Sequence, residues 1–156
     1  MVRVWLYKGN HKSRTWFDTL TRRITGSPFR YSHAEIQFSN GIFFSSSIRD
    51  HGTRFKVFPI HADRWDCVEI PCTPDQEQAM KDFAFQEDQI GYDWMGLIFG
   101  WWLPFAQFKN RWICSEIVMA CLQKMGIASE LDYICITPNR LARELQRLGY
   151  NIVKGE

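Results

Sequence analysis

A chain of 156 residues has room for one hydrophobic core and not for two of ordinary size. With 46% apolar and 23% charged residues it has the composition of a soluble globular domain. A formal charge of +2, with no basic run longer than two, argues against a nucleic-acid-binding face. Cysteines at 67, 72, 114, 121 and 135 are odd in number and lack a second close pair. That pattern speaks against a disulfide scaffold or a zinc site and for free thiols in a reducing compartment.

In chain order, Val2 to Tyr7 alternates as a strand and carries neither the apolar core nor the cleavage site of a secretory signal, so a cytoplasmic location is expected. Ser13 is an N-cap for a helix to about Ile24, with Trp16, Phe17 and Leu20 at helical spacing, stopped by Gly26 and Pro28. Two strand-like runs, Ser32 to Phe38 and Ile42 to Ser47, flank Asn40 and Gly41, a strong local hairpin signal. Asp50 to Thr53 reads as a turn, followed by strands at Phe55 to Ile60 and Trp65 to Ile70. Thr73, Pro74 and Gln76 form a capping box opening a helix to about Gln89. The uncharged stretch Trp94 to Phe108 is fifteen residues long and broken by Gly96, Gly100 and Pro104, too short to span a bilayer. Ile113 to Met125 has a helical apolar stripe ended by Gly126, Thr137 and Pro138 open a last helix closed by Gly149, and Tyr150 to Val153 is a final strand. The expected architecture is one α+β domain over 1–156, a small antiparallel sheet packed against helices.

Two positions invite chemistry. Cys114 falls where a helix begins, so backbone N–H groups without intrahelical acceptors and the positive end of the dipole face its sulfur. That setting favours a thiolate and supplies donors for an oxyanion. Taken alone, Cys114 reads more readily as a small buried apolar residue, as Cys121 does on its apolar stripe. His33 opens a strand whose period of two puts His33, Glu35 and Gln37 on one face and Ala34, Ile36 and Phe38 on the other. The apolar set belongs against the core, leaving the polar set for a cleft or for solvent. A cysteine nucleophile needs a base, and the base needs a third group to fix its ring.

Ser32 to Phe38, the Asn40–Gly41 turn, the aromatic strand after it, Gly91, Tyr92 and Asp93, and Trp112 to Val118 together resemble a known pattern in order and spacing. It is similar to the circularly permuted branch of the NlpC/P60 papain-like superfamily, with its YiiX-like and lecithin–retinol acyltransferase-like members. The nearest flavour is that of small proteins encoded by tailed phages. The resemblance covers roughly residues 27 to 126. It implies a permuted papain-like fold with the nucleophile at a helix N-terminus, Cys114 as that nucleophile and His33 as general base.

The family's third polar residue falls by spacing on Ser45, a weak orienter of imidazole. A two-residue turn would instead set Ser46 opposite Glu35, and Glu35 itself is a further alternative on its own strand. Tyr92, Glu35 and Arg54 are candidate substrate contacts, Arg54 for a carboxylate or phosphate at a cleft rim. No metal or cofactor is expected. The Trp94 to Phe108 stretch is expected to contribute core, with part of it left for a hydrophobic cleft, an acyl chain or a partner. The implied activity is that of a thiol hydrolase, of peptidase, amidase or acyl-transfer type, on a peptide, amide or lipid-ester carbonyl, a cell-wall peptide included. The competing reading is a weakly active or inactive binding module on the same fold, holding a host or virion partner. For a phage product the location extends to the host cytoplasm or the virion.

Overall fold

The computed structural model of the chain describes residues 1–8, 31–91, 111–134 and 136–155. The expected helix from Ser13 to Ile24, Tyr92, the stretch 94–108 and Cys135 lie outside the described residues. Six strands make one antiparallel sheet: β1 (Val2–Tyr7), β2 (His33–Gln37), β3 (Phe43–Ser47), β4 (Gly52–Lys56), β5 (Trp65–Ile70) and β6 (Ile152–Lys154). Their spatial order is β4-β3-β2-β1-β5-β6. Three helices, α1 (Pro74–Gln86), α2 (Cys114–Lys124) and α3 (Pro138–Arg147), pack against this sheet, an α+β arrangement.

The alternating pattern sets which face the helices cover. Val2, Val4 and Leu6 of β1, Ala34 and Ile36 of β2, and Val68 and Ile70 of β5 are all fully buried. They share one cluster with Ile117, Val118, Cys121 and Leu122 of α2 and with Leu141 and Leu145 of α3. Each large side chain withdrawn from water in this way contributes about 1.5–3 kcal/mol, and a one-residue slip of any strand would expose its whole set. The helix starts follow the sequence signals: Thr73 and Gln76 form the capping box of α1, and Thr137 accepts from the Arg140 N–H at α3. Among the described residues, no helix is long and apolar enough to cross a membrane.

The last strand begins at Ile152 rather than Tyr150, and the larger differences from the sequence expectation meet around Thr53. The expected turn at Asp50 to Thr53 ends at His51, and β4 begins at Gly52 and closes at Lys56 rather than running from Phe55 to Ile60. The helix expected to reach Gln89 stops at Gln86. Thr53 draws the chain after α1 onto β4: its N–H donates to Ile90 O at 2.8 Å, its carbonyl accepts from Gln89 N at 3.1 Å, and its hydroxyl accepts from Ile90 N at 2.8 Å while donating to Glu87 O. Glu87 N–H still reaches Phe83 O, but the N–H groups of Gln89 and Ile90 turn to Thr53 instead of continuing the helical ladder.

Gly52 makes the approach possible, since its φ is 150° and a Cβ there would lie 2.0 Å from Ile90 O. Gly52→Ala is expected to destabilise the fold by about 2–4 kcal/mol, read from the urea midpoint, because the blocking atom is main chain and cannot swing aside. A loss under about 0.5 kcal/mol would contradict this close-packed approach.

Candidate active site

The site lies where the start of β2 meets the start of α2. The β2 end is pinned from two sides: Ser32 N–H donates to Tyr7 O at 2.9 Å, and Asn139 of α3 grips the Tyr31 backbone. Asn139 Oδ1 accepts from Tyr31 N at 3.1 Å and its Nδ2 donates to Tyr31 O at 2.8 Å. His33 follows on β2, paired with Tyr7 of β1 and in a T-shaped arrangement with Trp65, 6.4 Å between centroids.

Cys114 is the first residue of α2, as its sequence position implies, and is 4% exposed. The chain leading into it is held by Trp112, whose N–H donates to Gly91 O at 3.3 Å and whose carbonyl accepts from the Ser46 hydroxyl at 2.7 Å. The Trp112 indole N–H donates to Glu87 at 2.8 Å. Glu116 accepts from the Ile113 N–H at 3.1 Å, which closes the helix start from within.

These supports set His33 close enough to Cys114 for the two side chains to act on each other electrostatically. The other side of the ring meets a carboxylate, with His33 Nε2 2.8 Å from Glu35 Oε1. With Nε2 committed to Glu35, Nδ1 is the nitrogen left for the thiol. Burial alone disfavours a charged imidazole, but the charge and hydrogen bond of Cys114, and then those of Glu35, outweigh it and raise His33 to about 10. His33 is therefore imidazolium at neutral pH. Burial likewise works against a charged Glu35, yet its hydrogen bonds to Arg54 first, and to His33 second, hold the carboxyl below the usual carboxylate range. The result is a row in which Glu35 lies between His33 and the Arg54 guanidinium.

The expected third member is placed elsewhere. The hairpin loop spans three residues, with Phe38 N–H donating to Ile42 O at 2.9 Å and Gly41 at a φ of 85°. The pairing Gln37↔Phe43 and Ile36↔Phe44, continued by one residue, sets Ser45 beside Glu35. The Ser45 hydroxyl nevertheless donates to Ala34 O at 2.6 Å, inside the sheet. Ser46 is spent on Trp112. Glu35, read from sequence as a substrate contact and only as an alternative orienter, is the group on His33.

Arg54 also differs from its expected role at a cleft rim. Its Nη1 and Nη2 donate to Glu35 at 2.8 and 2.6 Å and its Nε to Asp50 at 2.8 Å, so its fork is turned inward. Tyr92 lies outside the described residues. The sequence signal for Glu35 was present in the strand period, which puts it on the face of His33; the signal for Arg54 needs the register Ser45↔Arg54. Ser45→Ala is expected to cost about 1 kcal/mol in denaturant unfolding and to leave alkylation of Cys114 within about twofold, since the hydroxyl does not reach the ring. A tenfold loss of alkylation would return Ser45 to the site.

Two of the other described cysteines sit in surroundings that disfavour a thiolate. Burial pushes the Cys67 thiol up to about 11 and Cys121 further still. Among the described residues, no group of three or more His, Cys, Asp or Glu is arranged to hold a metal ion. Searched against models of protein families and against curated proteins, the chain matches none.

Proposed function

We propose that the protein is a thiol hydrolase or acyl-transfer enzyme with a permuted papain-like fold of the NlpC/P60 kind, acting on an amide or ester carbonyl. What supports this reading is a Cys114 at a helix start that acts electrostatically on His33, whose Nε2 is held by a buried carboxylate. The base precedes the nucleophile in the chain, the order that the permuted fold requires.

In the proposed reaction the Cys114 thiolate attacks the carbonyl carbon and the carbonyl π pair moves to oxygen. The first N–H groups of α2, which have no intrahelical acceptor, receive that oxyanion. Collapse expels the amine or alkoxide, which takes the proton from His33 Nδ1 and leaves a thioester and a neutral ring. Water, or an acceptor hydroxyl or amine, then returns a proton to His33 as it attacks the thioester, and the second collapse releases Cys114 as thiolate. Glu35 keeps the ring turned for both transfers and balances the imidazolium. A peptide, another amide and a lipid ester all present the required carbonyl.

The test is competitive alkylation with iodoacetamide at neutral pH, followed by peptide mapping. Cys114 is expected to react ahead of the other four cysteines, with its rate falling about 100-fold or more in His33→Ala. Uniform labelling of all five thiols, or an unreacted Cys114, would defeat the hydrolase reading and leave a binding module on this scaffold.

A further inference from the structure

Cross-strand register places Glu35 of β2, Ser45 of β3 and Arg54 of β4 in one row on one face of the sheet. Arg54 therefore reaches Glu35 across the whole width of β3. A side chain longer than serine at 45 would stand in that path. Serine is short, is fully buried, and ties its hydroxyl down to Ala34 O, leaving the way open. The guanidinium meets both carboxylate oxygens of Glu35, at 2.8 and 2.6 Å, and its third donor is anchored on Asp50, which also holds Lys56 at 2.9 Å.

A carboxylate held at both oxygens by a planar fork has one orientation, and here that orientation aims Oε1 at His33 Nε2. Glu35 is 2% exposed, so water does not substitute for the lost donors if the fork is removed. The passage over a small residue also gives a physical reason for serine at the position where the resemblance leads one to expect an orienting group. The third member has moved to β2, and β3 supplies the clearance for its brace.

We infer that Arg54 is a positioning residue for the Cys114–His33 pair, acting only through Glu35 along a path that Ser45 keeps clear. This rests on the thiol-enzyme reading, because what is positioned is the ring that serves the nucleophile. Arg54 touches neither substrate nor reacting atoms in that reading; it sets the direction of the group that does the orienting.

The experiment is a double-mutant cycle on the neutral-pH alkylation rate of Cys114, using iodoacetamide with wild type, Arg54→Gln, Glu35→Gln and the double variant. Arg54→Gln is expected to slow Cys114 at least tenfold, Arg54→Lys to recover part of that rate, and Arg54→Gln to add less than twofold in the Glu35→Gln background. Proton NMR of the same proteins gives a readout of ring orientation: the downfield Nε2–H resonance of wild type is expected to vanish in Arg54→Gln. Multiplicative losses across the cycle, or an unchanged rate in Arg54→Gln, would overturn the inference. Should Arg54→Gln fail to fold, the cycle is run with Arg54→Lys, for which the same non-multiplicative pattern decides. Failure of the hydrolase reading looks different: wild-type Cys114 would then show no advantage over the other cysteines before any substitution is made.

Discussion

Replacing Glu35 by alanine is expected to lower the stability of the fold by about 3–5 kcal/mol, because it strips a buried charge from between two cations. Arg54 would keep Asp50 but lose both of its contacts to Glu35, and His33 would lose the partner on its Nε2. Among the described residues the surface pairs offer no comparable effect: Arg3 with Glu69 joins two half-exposed side chains, a setting in which a pair is worth about 0–1 kcal/mol. Glu35→Gln keeps the shape and one acceptor, so its loss is expected to be about half as large. Urea unfolding with an unchanged slope measures both. A midpoint for Glu35→Ala within about 1 kcal/mol of wild type would mean that the charges along this row do not depend on one another.

Alkaline pH should uncouple the same site. His33 is raised in the folded protein from 6.5 to about 10, by Cys114 and Glu35 against the opposing effect of burial. A base whose folded value exceeds its unfolded value binds more protons in the folded state. Its contribution is therefore complete below about pH 6.5, declines as pH rises, and is gone above about pH 10. The shift is equivalent to at most about 5 kcal/mol. Denaturant unfolding from pH 6 to 10.5 is expected to show this decline in wild type and to lose most of it in His33→Gln. Parallel pH profiles for the two proteins would show that His33 carries no such linkage. In the hydrolase reading, protonation of the leaving group fails over the same upper range, so turnover is expected to fall as pH rises through about 10.

Much of the scaffold was legible in the sequence because local signals and burial agreed there. Trp65 to Ile70 was bounded by its own pattern and by Pro71, and the α1 and α3 starts by Thr-Pro caps. Cys114 could be put at a helix start because the apolar stripe of α2 begins at Ile113. The errors arose where distant backbone decides. The end of α1 and the start of β4 depend on Thr53 bonding to residues 87–90, a pairing with no local marker. The strand period correctly set Glu35 on the His33 face, yet its burial was not readable, since a polar alternation ordinarily means an exposed face. The inward turn of Arg54 from its expected cleft-rim place is not legible, because nothing in the turn before it discloses that its register partner is a serine.

The latch around Thr53 has one more consequence, for how this site would be carried through divergence. The bonds of the Thr53 and Ser46 hydroxyls end on main-chain atoms, the carbonyl of Glu87, the N–H of Ile90 and the carbonyl of Trp112, which depend little on residue type. Part of what holds β4 and the entry to α2 in place is thus encoded in three small side groups, the Thr53 and Ser46 hydroxyls and the bare Cα of Gly52. Descendants of this sequence are free to change the bulky residues around the latch while the geometry persists. A search for kinship would then do better to weigh those three inconspicuous positions beside His33, Glu35 and Cys114 than to count identities over the whole length.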